Sequence, residues 1–548
     1  SIRKIKEQEF SGYKPNFSKR FKAKQHTSYK VTVKQKKIVK APNSDEAFLK
    51  DFGISVPKQL DVAYKTVNAG INRYLSIQFV PYVKVNEELF RVTEVAFEIS
   101  ELAEEKNQNK DFANISVLAD ANSDWYKIGV TIEGIYKLDK NWFEQNNISI
   151  VGVNPSHIHV YGNASGRLFE DNSKPRIDDL AENDILFVGN GDANFDDGEY
   201  FLFYGWGPHN WQEVGGIFRR DQHIYSDVSN YFIRISSEET PNRISQSVST
   251  TNTETGIVES FNHYDVYEKE TSNLVGGGQR WYGELFDFDL NQTFTFNVPN
   301  IMPDSTVHLI SSLASNSRTS SNTFDLSING STVYAAALAS TSTDYRRMEV
   351  YYDYVTSSES IPITMNVNRV VPTTLTYLDK IELNARRRLT FDGGQMRFRD
   401  TESVGVGKIS KFNIQNAQPS YFVWDVTNRL SPKLIEGEYL TGTYSFKVTT
   451  DSLREFVYSD GVTFYLPEFD KKIENQNLHG LDFADLLIVT HPDFLSEANR
   501  LAEIHRADNT TTHVVSTEQV YNEFSSGMQD PTAIKWFAKM FYDKANGD

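Results

Sequence analysis

The chain has 548 residues, a formal net charge of −17 and no cysteine, which excludes disulfides, thiolate metal sites and a cysteine nucleophile among these residues. The length suits about three to four domains of roughly 150 residues each, and the 13% aromatic content favours β-rich architecture. No apolar run approaches the roughly 18 residues of a transmembrane helix, so no membrane-spanning segment is predicted. The start at Ser1-Ile-Arg-Lys4 indicates a mature N-terminus whose signal peptide has been removed.

Residues 1–118 are predicted to form an N-terminal β-rich domain with a basic arm. Ser28–Gln35 and Phe90–Ile99 alternate with a period of two, which is typical of half-buried strands. Residues 1–40 hold 13 Lys and Arg against two Glu. Such an arm could bind an anionic partner, or it could be a basic edge strand with solvated lysines. No nucleic-acid readout motif accompanies the charge, so no nucleic-acid partner is predicted.

Residues 119–240 are predicted to form a second β-rich domain. Trp125–Val130 and Gly134–Leu138 have the pattern of a β-hairpin, and Asp139 is a helix cap before a short helix around Trp142. Residues 257–475 form a predicted β-sandwich region, because many short strands alternate there with Ser, Thr and Asn turns.

Residues 482–548 have a different pattern, β-α-β-α. Asp485–Thr490 and Thr512–Ser516 are predicted strands, and Asp530-Pro531 is a strong helix start. The order predicts a parallel sheet with right-handed crossovers. Two strands do not make a stable sheet of this kind, so we expect this segment to be the truncated beginning of a larger domain.

One loop is a candidate calcium site. Asp192, Asn194 and Asp196 place oxygen side chains at alternate positions of a tight turn, as a hard cation requires. The EF-hand pattern is not met, because Asp197 stands where the sixth-position glycine belongs. The alternative is an Asx-rich turn between two strands. No other cofactor is predicted to be required.

The histidines give no catalytic assignment. His491, His505 and His513 lack an adjacent nucleophile and orienting acceptor, so we interpret them as structural. His157 and His159 alternate on a strand and could face one metal. No third ligand is identifiable, so burial or solvation is the favoured interpretation.

Several segments of the chain also resemble a known family. Asp485–Leu495, Val520–Gly527 and Asp530–Lys535 are similar to the start of a gingipain-family cysteine peptidase domain. Weaker similarity to the sortases of the type IX secretion system covers scattered pieces from about residue 119 onward, including Trp125–Leu138 and Asn273–Phe286. The fold class expected is therefore mainly β, with several β-rich or β-sandwich domains followed by the start of a caspase-like α/β domain.

The resemblance implies a function for the full-length parent. Such a sortase cleaves C-terminal signal domains from cargo proteins and attaches the cargo to anionic lipopolysaccharide through a cysteine acyl-enzyme. It is held at the surface of a Gram-negative outer membrane by a β-barrel partner, PorV. The family's catalytic His and Cys are expected beyond residue 548, so no catalytic residue is assigned and the chain alone is expected to be inactive.

Two alternatives remain open. The chain could be a β-sandwich adhesin or glycan-binding scaffold, since Trp206, Trp211 and Trp281 could stack on sugars or could be core residues. Arg280, beside Trp281 and Tyr282, indicates a packed corner or a contact surface. The parent could also be a secreted gingipain-type protease.

Overall fold

Strands dominate the fold. The structure, a computed structural model, describes residues 2–6, 17–23, 28–42, 44–46, 49, 56–60, 62–69, 72–86, 88–102, 112–164, 166–236 and 241–544. The chain divides into two units, Ser1–Lys110 and Asp111–Asp548. The mainly β fold class predicted from the sequence is confirmed.

In its described residues the first unit has two antiparallel sheets. Its strands are β1 (Ile2–Lys6), β2 (Phe17–Ala23), β3 (Ser28–Lys40), β4 (Val62–Ala69), β5 (Asn72–Phe79), β6 (Tyr82–Val85) and β7 (Glu88–Leu102). One sheet has the order β1-β7-β3 with β6 also on β7, and the other has the order β2-β5-β4. Val92, Val95 and Phe97 of β7 pack with Ile77 and Phe79 of β5 in one core.

Several lysines of the basic arm have acidic cross-strand partners in the part of the arm that the structure describes. In β3, Lys34 pairs with Glu98 at 2.6 Å and Lys40 pairs with Glu88 at 2.6 Å. Tyr29, Val31 and Val33 on the alternate positions pack against the core, as the period of two predicts. These contacts favour the interpretation of a basic edge strand over that of a free anion-binding arm.

The second unit starts with two sheets around a common core. Its first strands are β8 (Asp124–Val130), β9 (Gly134–Asp139), β10 (Ile158–Tyr161), β11 (Glu182–Asn183), β12 (Leu186–Val188), β13 (Tyr200–Gly205), β14 (Asn210–Val214), β15 (Ile217–Asp221) and β16 (Ser229–Ile235), with helix α1 (Lys140–Gln145). The sheets β11-β10-β16-β8 and β12-β13-β9 bury one apolar cluster. Asp139 caps α1 as predicted, since its Oδ1 accepts from Trp142 N at 2.9 Å.

The hairpin predicted for Trp125–Val130 and Gly134–Leu138 is wrong. Strand β8 pairs with β16, whereas β9 pairs with β13 in the other sheet. The chain turns a corner between them, where the Tyr136 hydroxyl donates to Ile132 O at 2.6 Å. The ring of Tyr136 fits there because Gly205 has no side chain: a Cβ at Gly205 would lie 2.7 Å from Tyr136 Cδ2.

The predicted sandwich region contains two sandwiches. Its strands are β17 (Ser245–Val248), β18 (Gly256–Val258), β19 (Ser260–Glu268), β20 (Leu285–Phe286), β21 (Asn291–Asn297), β22 (Ser305–Ser315), β23 (Thr323–Ile328), β24 (Ser331–Ala337), β25 (Arg346–Thr356), β26 (Ser360–Asn368), β27 (Thr376–Arg388), β28 (Gln395–Arg399), β29 (Ile409–Gln415), β30 (Phe422–Asp425), β31 (Lys433–Glu436), β32 (Glu438–Leu440), β33 (Thr443–Thr449) and β34 (Glu455–Ser459). One core lies between β19-β27-β22-β25 and β21-β26-β23-β24, and another between β17-β31-β30-β34-β28 and β18-β29-β33-β32.

After these sandwiches the chain returns to the first sheet of the unit. Strand β35 (Glu468–Ile473) pairs antiparallel with β8, so residues before and after the sandwiches share one sheet. The predicted domain limits at 118, 240 and 475 stay predictions, but this pairing joins the predicted 119–240 and 257–475 regions. We call residues 112–480 the β body.

The last segment has the predicted α/β order. Strands β36 (Leu486–Thr490) and β37 (Thr512–Ser516) pair in parallel, with helices α2 (Leu495–Ala507), α3 (Thr517–Phe524) and α4 (Thr532–Lys544) around them. The Asp530 carboxylate accepts from Thr532 N at 2.8 Å at the start of α4, as its capping role predicts. None of the described helices has the length and apolar character needed to cross a bilayer.

Candidate functional site

The turn between α3 and α4 inserts into the β body. Ser526 Oγ accepts from Asn163 N at 3.1 Å and donates to Asn230 O at 3.2 Å, and Lys127 Nζ donates to Gly527 O at 3.0 Å. Gly527 has φ +78°, and a Cβ there would lie 2.8 Å from Lys127 Cε. Only glycine therefore fits this turn without displacing the β body.

A buried group of ionisable side chains lies beside this contact. It joins Arg176, Asp178 and Asp179 from the loop before β11, His479 from the connection after β35, and Glu523 from α3. The side chains of His479 and Glu523 have no exposed surface. We call these five residues the His479 cluster.

The geometry holds His479 between two carboxylates. Its Nδ1 lies 2.6 Å from Glu523 Oε2, and its Nε2 lies 3.2 Å from Asp178 Oδ1. The ring stacks on Phe524 at 4.5 Å with an interplanar angle of 8°. Helix α3 is itself fixed at its start by a capping box between Ser516 and Gln519.

Glu523 also binds the backbone of the connection before β36. Its carboxylate accepts from Leu478 N at 2.8 Å, from His479 N at 3.0 Å and from Gln476 Nε2 at 2.9 Å. A buried carboxylate needs several donors to offset its desolvation. Glu523 has three such donors, so its carboxylate links helix α3 to the connection before β36.

The charges in the cluster shift one another's pKa values. Burial lowers the pKa of His479, but hydrogen bonds to Asp178 and Glu523 outweigh it and raise the pKa to about 9. Burial raises the pKa of Asp178, yet the hydrogen bond to His479 leaves that pKa below its usual value. Burial raises the pKa of Asp179 to about 6. At neutral pH His479 is therefore an imidazolium.

The geometry of the cluster favours a protonated His479 over a bound metal ion. Asp179, His479 and Glu523 offer ligand atoms within 4.8 Å of one another. A metal would need a neutral imidazole with a free lone pair, and both ring nitrogens of His479 face carboxylates. Asp179 is engaged as well, because it accepts from Ser116 Oγ at 3.1 Å and from Val117 N at 2.7 Å. The arrangement therefore stabilises packing and offers no free catalytic group.

Arg176 extends the cluster to α4. Its guanidinium lies 4.3 Å from the ring centroid of Phe112 and 4.8 Å from that of Trp536, and it pairs with Asp178 at 2.8 Å. A guanidinium between two aromatic faces has favourable cation–π contacts on both sides. The α/β segment is thus tied to the β body through both α3 and α4.

The predicted calcium loop is a set of Asx turns. Asp192 Oδ1 accepts from Asn194 N at 2.8 Å, and Asp192 Oδ2 accepts from Asn190 Nδ2 at 3.0 Å. Glu199 accepts from Asn190 N at 2.7 Å and from Asp196 N at 2.9 Å. The loop geometry is thus maintained by its own hydrogen bonds, and calcium at Asp192, Asn194 and Asp196 stays a prediction.

The histidines singled out in the sequence are not brought together as a site. His491 Nδ1 accepts from Asp493 N at 3.2 Å, and His513 Nε2 lies 3.0 Å from Asp482 O, while His505 is half-buried on α2. His159 is buried against Glu182 at 2.8 Å. Within the described ranges no acidic or histidine side chain completes a three-residue metal group with His157 and His159.

The three tryptophans proposed for sugar stacking differ in exposure. Trp206 is buried under Arg429, and Trp211 stacks on Tyr264 with ring centroids 4.1 Å apart. Trp281 is 45% exposed. Of the three, Trp281 has the accessible ring that a ligand would need.

Sequence reasoning did not identify His479, Glu523, Asp178 or Asp179. One signal was present: Glu523 lies three positions after Val520 and next to Phe524, on the buried face of α3. A charged residue on an apolar helix face needs a buried partner. Its partners lie 44 or more residues away in the chain, so the pattern does not identify them.

Two comparisons with known proteins bear on identity. Residues 481–548 match Peptidase family C25. The fold is similar to the crystal structure of dimeric latent PorU from Porphyromonas gingivalis, with 26% identity and a TM-score of 0.69. That match covers 80% of this chain and 41% of the PorU chain. The chain therefore resembles the N-terminal portion of PorU and includes the start of a gingipain-type peptidase domain.

Two further solved structures match with TM-scores too low to indicate a shared fold. Insecticidal delta-endotoxin Cry8Ea1 from Bacillus thuringiensis matches with 11% identity, 43% of each chain and a TM-score of 0.17. The mosquito-larvicidal Cry4Aa toxin from the same organism matches with 14% identity, 66% of this chain, 58% of the toxin chain and a TM-score of 0.16. A comparison with curated proteins found no match.

Proposed function

We propose that this chain is the non-catalytic N-terminal region of a cell-surface sortase of the type IX secretion system. The single observation that carries the proposal is the fold similarity to PorU over 80% of the chain at a TM-score of 0.69. The match of residues 481–548 to a peptidase family supports a cysteine peptidase as the parent. The cysteine nucleophile must come from other residues of that parent, because this chain has none.

The proposed reaction has two steps. A cysteine thiolate of the parent attacks the carbonyl at the boundary of a C-terminal signal domain, and the C–N bond breaks as the leaving amine takes a proton. An amine on anionic lipopolysaccharide then attacks the thioester and regenerates the thiolate. PorV, an outer-membrane β-barrel, is the proposed partner that keeps the sortase at the surface.

In this proposal the β body is the scaffold of the peptidase. The His479 cluster fixes α3 and Arg176 fixes α4, so the first elements of the catalytic domain have one orientation. Exposed Phe494, Leu501 and Ile504 give the α2 side of the segment an apolar face. An exposed apolar patch of this kind is typical of a contact surface, which supports a larger α/β domain in the parent.

The test is cleavage of a cargo by the purified full-length parent. A cargo protein with its C-terminal signal domain is incubated with the parent, with or without a thiol-alkylating reagent, and the products are measured by intact mass. We expect one cut at the signal-domain boundary, a new bond to an added amine, and loss of both with the reagent. A secreted gingipain-type protease would instead hydrolyse many unrelated proteins without amine transfer.

A further inference from the structure

A buried histidine of the β body lies against the start of α4. The side chains of His223 and Asp530 have no exposed surface, and His223 Nε2 lies 3.8 Å from Asp530 Oδ2. Beside this pair Ser229 Oγ lies 3.7 Å from Met528 Sδ. We call His223–Ser229, the connection from β15 into β16, the His223 loop. This loop therefore forms part of the surface that holds the turn between α3 and α4.

Backbone hydrogen bonds fix the protonation state of His223. Its Nδ1 accepts from Ser226 N at 3.0 Å and from Tyr225 N at 3.3 Å. A ring nitrogen that accepts from N–H groups carries no proton of its own, so the ring is neutral with its proton on Nε2. Within the described part of the chain Nε2 has no hydrogen-bond partner, and Asp530 Oδ2 accepts from Leu168 N at 2.9 Å.

The electrostatic surroundings also keep His223 neutral. Burial lowers the pKa of His223 below its ordinary value of 6.5. The carboxylates of Asp530, Asp227 and Asp221 oppose this shift without cancelling it, and Arg167 adds to it. At neutral pH His223 is therefore uncharged, in agreement with the two hydrogen bonds to Nδ1.

A second histidine at this contact, His209, does not titrate in the same pH range. Its Nδ1 accepts from His223 N at 3.0 Å. Burial, Arg220 and His223 lower the pKa of His209 to about 3. Of these two histidines, His223 is therefore the one whose charge changes first as the pH falls.

Protonation of His223 conflicts with the closed loop. A proton on Nδ1 turns that atom from an acceptor into a donor, so Ser226 N and Tyr225 N would both face an N–H group. These partly buried donors would lose their acceptor, which is costly inside a protein. Asp530 attracts the charge on the ring, but that attraction does not restore the two hydrogen bonds to Nδ1.

We propose that the His223 loop is an acid-sensitive latch that releases the start of α4 when His223 Nδ1 takes up a proton from solvent. Because the pKa of His223 is lower in the closed loop than in an open one, the closed loop is fully stabilised above about pH 6.5 and loses this stabilisation as the pH falls. His479 has a pKa of about 9 and stays charged over the same range, so α3 remains fixed. The inference rests on the fold of the chain and not on sortase activity.

The experiment is amide hydrogen exchange of the purified chain at about pH 7.5 and about pH 5.5, corrected for the intrinsic pH dependence of exchange. One proton taken up by a group with an open-loop pKa of about 6.5 raises the opening constant about tenfold between these two pH values. We expect this rise in peptides that cover the His223 loop and residues 530–537, and a smaller rise in α3.

Two variants separate His223 from other titrating groups. His223→Asn removes the titratable ring but keeps an acceptor for the loop, as Asn273 Oδ1 does when it accepts from Val275 N at 3.3 Å. Its opening constant should stay within about twofold between the two pH values. His308→Asn is the matched control, because the partly exposed His308 pairs with Asp353 on the sandwich at 2.8 Å, and it should keep the tenfold response. If circular dichroism shows that His223→Asn does not fold, His223→Gln takes its place.

Three results would overturn the proposal. One is equal opening of the His223 loop at both pH values in the wild type. Another is a tenfold acid response that persists in the folded variant without the imidazole. The third is a response of the same size in α3 as at the start of α4, because that would show a general loosening of the α/β segment rather than release at the His223 loop.

Discussion

Replacing Glu523 with glutamine tests whether the His479 cluster holds the α/β segment on the β body. The substitution keeps the size of the side chain but removes the charge that faces the imidazolium at 2.6 Å. It also replaces one carboxylate oxygen by an amide NH2, which cannot accept the hydrogen bonds that Leu478 N and His479 N donate to Glu523. The change therefore leaves His479 facing one carboxylate instead of two.

The magnitude follows from the pKa of His479. A rise from 6.5 to about 9 corresponds to about 3 kcal/mol in favour of the imidazolium form. Removal of one partner from a buried ion pair costs about 3–5 kcal/mol in proteins. We therefore expect Glu523→Gln to lower the local opening free energy of α3 by about 3 kcal/mol at pH 7.

The assay is amide hydrogen exchange of Thr517–Phe524 and Thr532–Lys544, which reports local opening. Glu518→Gln is the matched control, because Glu518 lies on the same helix and makes a half-exposed ion pair with Lys471 at 2.8 Å. An exposed pair contributes about 0–1 kcal/mol, so the control should stay close to the wild type. Equal exchange in the two variants would refute the assigned role of the cluster.

Further predictions concern the pH dependence of the His479 cluster, the contact of Arg176 with α4, and the Asp192–Asp196 loop. Because the pKa of His479 is raised in the folded protein, the imidazolium stabilises the fold fully below about pH 6.5, and this stabilisation is lost as the pH rises through about 9. The exchange protection of α3 should therefore fall across this pH window in the wild type and stay constant in His479→Gln. A wild-type profile as flat as that of the variant would contradict this. Arg176→Lys should lower protection of α4 by about 1–2 kcal/mol, because lysine cannot stack on both Phe112 and Trp536, whereas the exposed Lys174→Ala should have no effect. Glu199→Gln should destabilise the Asp192–Asp196 loop by about 1–2 kcal/mol, measured by exchange of its amides, and a calcium titration of the wild type and Asp192→Asn tests the predicted ion at the same loop.

Short-range sequence patterns correctly predicted the elements of the α/β segment. The apolar run at Leu486–Thr490 and the Asp530 cap each depend on neighbours within a few residues. Parallel pairing of β36 with β37 follows from the element order. These features were predictable because short-range chemistry decides them.

Sheet membership was harder to predict. The short connection after Val130 has the length of a hairpin turn, but β9 pairs in the opposite sheet. There the ring of Tyr136 packs in the space that the missing side chain of Gly205 leaves. Strand β35 pairs with β8 across more than 330 residues, and no local pattern encodes that partner. The His479 cluster is hidden for the same reason, because its members come from three distant segments.

The most direct test of the central claim is the rate of cargo cleavage by the full-length parent. If the β body positions the peptidase through the His479 cluster, Glu523→Gln should lower kcat/KM by about 100-fold, the effect of roughly 1 Å of misplacement, while Glu518→Gln should retain the wild-type value. Cleavage at the signal-domain boundary that is unaffected by Glu523→Gln would contradict the positioning role. A wild-type parent that leaves the cargo intact would contradict the proposed sortase.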